Sequence, residues 1–88
     1  MPEESVVLRN ASGLHARPAA LFVPTAKRFT NTKIEVSKGD KTRDAKSILG
    51  VLTLAVGKGT TITIRTEGDQ ADAALVALVE AIESGLGE

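Results

Sequence analysis

The chain has 88 residues and a formal net charge of zero, because 11 acidic side chains balance its 11 basic ones. This length fits one domain, residues 1–88, and the neutral total argues against a protein that binds nucleic acid through a positive field. With no cysteine, one histidine and two phenylalanines as its only aromatic residues, the chain is ill suited to disulfides, a structural zinc site or base stacking.

The beginning of the chain predicts no targeting segment, since Met-Pro-Glu-Glu lacks the basic and apolar regions of a signal peptide. The longest apolar-leaning run, Ile48–Val56, is interrupted by polar and glycine residues and is far shorter than the roughly 20 residues of a membrane span. We therefore expect a soluble cytoplasmic protein, a monomer that does not insert into membranes.

The first part of the chain predicts a strand, a turn and a helix. Ser5–Arg9 alternates as a strand, and residues 10–13 have the composition of a turn. From Ala16 onward, apolar residues recur at helical spacing, namely Ala19, Phe22, Val23, Ala26 and Phe29. Pro18 suits the first turn of this helix, whereas Pro24 predicts a kink because its missing N–H removes a helical hydrogen bond.

A hairpin and a short helix are predicted next. Lys33–Ser37 alternates as a strand, Lys38–Asp40 reads as a turn, and Lys41–Arg43 forms the return strand. Ser47 has the character of an N-cap for a short helix over Ile48–Leu54.

The last part of the chain predicts one more strand and one more helix. Thr60–Thr66 alternates cleanly, and Asp69 and Asp72 are expected at the cap and in the first turn of the final helix, where they suit its dipole. The predicted buried stripe of this helix comprises Ala71, Ala74, Leu75, Leu78, Val79 and Ile82. Gly85 followed by Leu86 is typical of a Schellman stop.

The resulting order is β-α-β-β-α-β-α. Strands with one polar face and helices with one apolar stripe favour an α/β (α+β) fold. We expect an open-faced β-sandwich, in which three helices cover one face of a four-stranded antiparallel sheet.

The only histidine lies where a loop becomes a helix, in the segment 13–20, which reads Gly-Leu-His-Ala-Arg-Pro-Ala-Ala. The free N–H groups of a helix start attract anions, and the helix dipole favours the neutral, nucleophilic imidazole of His15. Arg17 is close enough in sequence to neutralise phosphoryl oxygens. These features indicate a phosphohistidine site, although the spacing alone leaves open a histidine that is only a cap or a surface residue.

A second candidate is the segment Lys46–Leu52, which reads Lys-Ser-Ile-Leu-Gly-Val-Leu. Ser47 is a cap in the simplest interpretation. The helix that follows has too many apolar residues for one buried stripe, so Ile48, Leu49 and Leu52 are expected on an outer face that binds a partner. A phosphate on Ser47 would place negative charge beside that face and regulate docking without unfolding the helix.

Both segments, the chain length and the element order resemble the HPr family, the histidine-containing phosphocarriers of the phosphoenolpyruvate-dependent sugar phosphotransferase system. The resemblance covers essentially the whole chain. It implies that His15 accepts a phosphoryl group on Nδ1 from enzyme I and passes it to a sugar-specific enzyme IIA domain. Arg17 would pair with the phosphoryl oxygens, and the N–H groups of Ala16 and Arg17 would stabilise the charge.

The same resemblance assigns Ser47 as the regulatory serine of HPr kinase/phosphorylase. Its phosphorylation would slow transfer from enzyme I and, in some lineages, create a corepressor for a catabolite-control transcription factor. The resemblance implies no cofactor or metal, and it implies a carrier that enzymes share rather than an enzyme. The implied docking residues are Ala20, Leu21, Pro24, Ile48, Leu49 and Leu52. Pro24 departs from the family, which usually has a polar residue at this edge of the surface.

Two other functions fit parts of the pattern. A regulatory carrier in a nitrogen-type phosphotransfer chain has the same fold, but the kinase-type serine motif argues against it. A nucleic-acid-binding α/β sandwich is disfavoured by the neutral charge and the few aromatic residues. The presence of His15 argues against the serine-only regulatory paralogues of the family.

The zero net charge conceals an uneven distribution. Residues 1–66 hold all 11 basic and five acidic residues, whereas residues 67–88 hold six acidic residues and no basic one. Arg17 lies in the histidine segment, and Lys27 and Lys46 lie on the two elements that are expected to flank it. The acidic last helix is expected to lie away from this face. The sequence thus predicts a basic, partly apolar docking face suited to acidic partners.

Overall fold

The computed structural model describes residues 2–11 and 13–86 of the chain. Its elements have the predicted order and are β1 Glu3–Val7, α1 Ala16–Lys27, β2 Thr32–Lys38, β3 Lys41–Asp44, α2 Ile48–Thr53, β4 Thr61–Gly68 and α3 Ala71–Glu83. Strand bounds differ from the predicted ones by up to two residues. Ser12, part of the predicted turn, lies outside the described residues, but Gly13 N–H donates to the Asn10 carbonyl across that turn at 3.2 Å.

The four strands form one antiparallel sheet in the order β1-β4-β2-β3. Alternation places the apolar residues of the strands on one face, where Val6 lies opposite Ile62 and Val36 lies opposite Ile64. All four are buried. The other face carries a row of hydroxyls, one from each strand, contributed by Ser5, Thr63, Ser37 and Thr42. The predicted open-faced sandwich is therefore confirmed.

The helices pack on the apolar face of the sheet, and α1 contacts both α2 and α3. Phe22 is the largest fully buried side chain of the core, and Val23 and Ala26 lie beside it on the buried stripe of α1. The helix continues past Pro24 as far as Lys27. No helix within the described ranges is both long and apolar enough to cross a membrane.

The start of α3 differs from the prediction, because Gln70 and not Asp69 is its N-cap. Strand β4 extends to Gly68, which moves the turn and the helix start along the chain. Two buried threonines hold the start of α3. Thr32 Oγ1 accepts from Gln70 N–H at 3.1 Å, and Thr66 Oγ1 donates to the Ala71 carbonyl at 2.7 Å. Tertiary contacts from β2 and β4 thus replace the local aspartate cap.

The end of α3 follows the prediction. Leu86 N–H donates to the Ala81 carbonyl at 3.1 Å and Gly85 N–H to the Ile82 carbonyl at 3.0 Å, the two bonds of a Schellman motif. Gly85 has the positive φ, 91°, that this motif requires. Of the predicted buried stripe, four residues are buried, whereas Ala71 and Leu75 are half-buried.

Ala55, directly after the C-cap of α2, has a φ of 55°. This left-handed conformation costs a residue with a Cβ about 1–2 kcal/mol, while glycine loses about 0.5–1 kcal/mol of conformational entropy on folding. We expect Ala55→Gly to raise the free energy of unfolding by about 0.5–1 kcal/mol in urea titrations. The control is Ala20→Gly in the right-handed helix α1, which should lower it by about 1 kcal/mol. Equal destabilisation by both changes would contradict the interpretation that the Ala55 backbone is strained.

Candidate functional site

His15 lies at the N-cap of α1 with an extended backbone, φ −112° and ψ 157°. Its side chain is exposed and makes no capping hydrogen bond. Because the imidazole is not used to cap the helix, it is accessible to a reaction partner, which favours the functional interpretation over the capping one.

The residues after His15 provide donors at the same helix end. The N–H groups of the first helical residues have no carbonyl to pair with inside the helix, and Pro18 has no N–H to offer. Ala16 and Arg17 are therefore the two first-turn residues whose amides are left to contact an anion. The Arg17 side chain is exposed, so its guanidinium is accessible at this end of the helix.

The loop that precedes His15 is held by hydrogen bonds and close packing. Asn10 Nδ2 donates to the Gly13 carbonyl at 2.7 Å, and Leu14, which is fully buried, donates its N–H to the Val56 carbonyl at 2.9 Å. Gly13 has a φ of 60°, and a Cβ there would overlap the Val56 carbonyl oxygen and the backbone of Gly57. The entry to α1 therefore lies directly against the segment that follows α2.

Ser47 is the N-cap of α2, where its Oγ accepts a hydrogen bond from Gly50 N–H at 3.1 Å. Of the outer-face residues, Ile48 is 41% and Leu49 72% exposed, and Leu52 is half-buried. Val51, by contrast, is fully buried. The prediction of an apolar outer face on this helix is confirmed.

The candidate docking residues of α1 are also exposed, since Ala20, Leu21 and Pro24 all reach solvent and Leu21 is 45% exposed. Because α1 and α2 pack against each other, these residues and the outer face of α2 belong to neighbouring elements. We call the set of Ala20, Leu21, Pro24, Ile48, Leu49 and Leu52 the docking surface.

His15 and Ser47 lie at opposite ends of the α1–α2 pair. Lys46, at the start of α2, donates its Nζ to the Phe29 carbonyl beyond the C-terminal end of α1, at 2.6 Å. Val56, beyond the end of α2, accepts from Leu14 before the start of α1. The two helices thus run antiparallel, and the six residues of α2, about 9 Å at 1.5 Å per residue, lie between Ser47 and the segment that contacts the start of α1.

The charges around the site agree only in part with the predicted basic face. Arg17 and Lys27 are exposed. The part-buried Lys46 ammonium instead donates to the Phe29 carbonyl, just beyond the C-terminal end of α1. Helix α3, which carries Asp72, Glu80 and no basic residue, packs on α1 as α2 does.

The sequence patterns did not predict the contact that Lys38 makes with the segment after α2. Lys38, interpreted as part of a turn, donates its Nζ to the carbonyls of Leu54 and Ala55. No local pattern connects a hairpin lysine with a loop 16 residues later, so this contact could only be found in the structure.

The chain is similar to known proteins over most or all of its length. Residues 2–84 match the family model described as the PTS HPr component phosphorylation site. The HPr-like protein Crh of Halalkalibacterium halodurans is 48% identical over 83 residues, 94% of this chain and 98% of that protein. The phosphocarrier protein HPr of Pseudomonas aeruginosa is 44% identical and covers 100% of this chain and 98% of its own.

The fold has a close counterpart among solved structures. The crystal structure of HPr-C-His from Thermoanaerobacter tengcongensis matches with a TM-score of 0.97 and 46% identity, over 100% of this chain and 98% of that one. The similarity therefore extends over the sheet, the helices and the candidate site together.

Proposed function

The chain belongs to the HPr family, the phosphocarriers of the phosphotransferase system, and from this premise we propose that it carries a phosphoryl group on His15 from enzyme I to sugar-specific enzyme IIA domains. The observation that carries the proposal is the exposed, non-capping His15 at the start of α1, followed by the amides of Ala16 and Arg17. A monomer suits this role, because the exposed docking surface has to meet two partners in turn.

The transfer needs little more than position and charge. His15 Nδ1 forms a bond to phosphorus as the N–P bond of the enzyme I phosphohistidine breaks, and the donor imidazole keeps that electron pair. The amides of Ala16 and Arg17 and the Arg17 guanidinium stabilise the three phosphoryl oxygens. The same groups stabilise the phosphoryl oxygens when the phosphoryl group is transferred from His15 to enzyme IIA. The protein is then a substrate shared by two enzymes and has no reaction of its own.

The docking surface supplies the apolar contacts for both partners. Its most exposed member, Leu49, is 72% exposed on a short helix, which is costly for an isolated protein but useful in an interface core. Because His15 lies at one end of this surface, a partner that covers α1 and α2 brings its own histidine to the start of α1.

Ser47 regulates that docking in our proposal. HPr kinase/phosphorylase would transfer a phosphoryl group to Ser47 Oγ, which adds close to two negative charges beside Ile48 and Leu49. Since the length of α2 lies between Ser47 and the start of α1, the phosphate acts on partner binding rather than on the chemistry at His15. The seryl-phosphorylated chain would also be the form that a catabolite-control transcription factor recognises.

The direct test is incubation with phosphoenolpyruvate and enzyme I. We expect one phosphoryl group per chain, labile in acid and stable in base, on the peptide that contains His15. A serine phosphate has the opposite stability, so the two modifications are separated by chemistry alone. An acid-stable label, or none, would refute the carrier function.

Electrostatic steering gives a second measurable expectation. Because Arg17 and Lys27 are exposed near α1, raising the NaCl concentration from about 0.05 to about 0.5 M should lower the rate of phosphorylation by enzyme I several-fold. Lys27→Gln should make this salt dependence shallower. Lys33→Gln, the same loss of charge on the open face of the sheet, is the matched control and should leave it unchanged. A rate indifferent to salt would contradict steering.

A further inference from the structure

Ala55, in the segment that follows α2, has a backbone conformation that alanine does not favour. Ala55 has a φ of 55°, in the left-handed region that residues with a Cβ rarely adopt. Such a conformation persists only where surrounding contacts hold it, and it is enriched at functional sites. The contacts that hold Ala55 in this conformation therefore bear on the function of this segment.

Lys38 provides two of these contacts from a distant part of the chain. Its Nζ donates to the Leu54 carbonyl at 3.2 Å and to the Ala55 carbonyl at 3.0 Å. Both acceptors belong to the end of α2, where helical carbonyls lack intrahelical partners. An ammonium group suits this position because it meets the negative end of the helix dipole with charge-assisted bonds.

Val56, the residue after Ala55, connects this segment to the residues that precede His15. The Val56 carbonyl accepts from Leu14 N–H at 2.9 Å, and the Gly13 backbone packs against the same carbonyl and against Gly57. Leu14 immediately precedes His15. A turn of the Ala55 backbone would therefore move the acceptor that holds the residue next to the reacting imidazole.

We propose that Lys38 is a positioning residue for His15: by holding the carbonyls of Leu54 and Ala55, it fixes the Val56 carbonyl and so the start of α1. The inference rests on the proposed function, in which His15 is the phosphoryl acceptor. Lys38 touches no reacting atom, and its effect is transmitted through Ala55, Val56 and Leu14. Small displacements of reacting groups reduce rates strongly, so the consequence is measurable.

The experiment compares three variants of the full chain. Lys38→Met removes the donor but keeps the length of the side chain, Lys38→Arg keeps a cationic donor, and Lys41→Met makes the same change at an exposed lysine of the same hairpin. Two quantities are measured: the rate of phosphorylation by enzyme I and phosphoenolpyruvate, and the hydrogen exchange of the Leu14 amide. Exchange of the amides of Ile62 and Ile64 in β4 reports global opening.

We expect Lys38→Met to slow phosphorylation about three- to tenfold and to speed Leu14 exchange about tenfold, with β4 exchange unchanged. Lys38→Arg should restore most of both values, and Lys41→Met should match the unaltered chain. Equal rates in Lys38→Met and Lys41→Met, or exchange that rises equally at Leu14 and in β4, would overturn the proposal. If the unaltered chain is not phosphorylated on His15, the proposed function fails, while the exchange measurements still decide whether Lys38 holds Leu14.

Discussion

His15→Ala should accept no phosphoryl group from enzyme I and phosphoenolpyruvate, because the variant lacks the nitrogen that forms the bond to phosphorus. The fold should be unaffected, since the imidazole is exposed and makes no capping bond. We expect the free energy of unfolding to change by no more than about 0.5 kcal/mol. Labelling followed by mass measurement of the intact chain, with urea unfolding in parallel, checks both statements.

Arg17→Met distinguishes the acceptor from the groups that stabilise charge. It keeps the imidazole and the backbone amides and removes only the guanidinium, so phosphorylation should slow by about a hundredfold but still reach completion. Ser47→Ala, which removes the other proposed phosphorylation site, is the control and should label as the unaltered chain does. An acid-labile phosphoryl group on His15→Ala would place the acceptor elsewhere and end the carrier proposal in its present form.

The elements of the fold were predictable because their patterns are local. Alternation in Thr60–Thr66 places Ile62 and Ile64 on one face, and this face is the buried one. The helical spacing that includes Phe22 similarly indicated the buried stripe of α1. Each of these patterns follows from the geometry of a single strand or helix, so neighbouring residues carry all the information.

The features that the sequence did not predict depend on residues far apart in the chain. Asp69 has the right chemistry for a cap, but Thr32, 38 residues away from Gln70 in sequence, provides the acceptor that decides where α3 begins. Ala55 gives no warning of a left-handed conformation, because alanine favours the right-handed helix. Its environment is provided by Lys38, 17 residues earlier.

The candidate site likewise has features that short segments predict and features that depend on residues far apart in the chain. The motif around His15 and the outer face of α2 could be predicted from short segments, since a helix start and an unpaired apolar face are local features. The relative placement of the two segments could not be predicted. The bonds of Lys46 to Phe29 and of Leu14 to Val56 make α1 and α2 antiparallel and separate Ser47 from His15. In the proposed function, this separation means that a phosphate on Ser47 acts on docking.

Because of that separation, Ser47→Asp should weaken the docking of enzyme I without impairing the reacting group. Aspartate is as good an N-cap as serine, so α2 should form and the free energy of unfolding should change by less than about 1 kcal/mol. The added carboxylate lies beside the exposed Ile48 and Leu49, and covering it with a partner removes its hydration. An acidic partner repels it as well.

We expect the KM of enzyme I for Ser47→Asp to rise about ten- to a hundredfold, which corresponds to about 1.4–2.8 kcal/mol of lost binding, while kcat stays within about twofold. Ser47→Asn is the matched control, because asparagine has nearly the shape of aspartate and caps helices equally well without the charge. Its KM should remain close to that of the unaltered chain. If both variants raise KM equally, the effect comes from the shape of the cap. If kcat falls instead of KM rising, the added carboxylate acts at His15 despite the length of α2 between them.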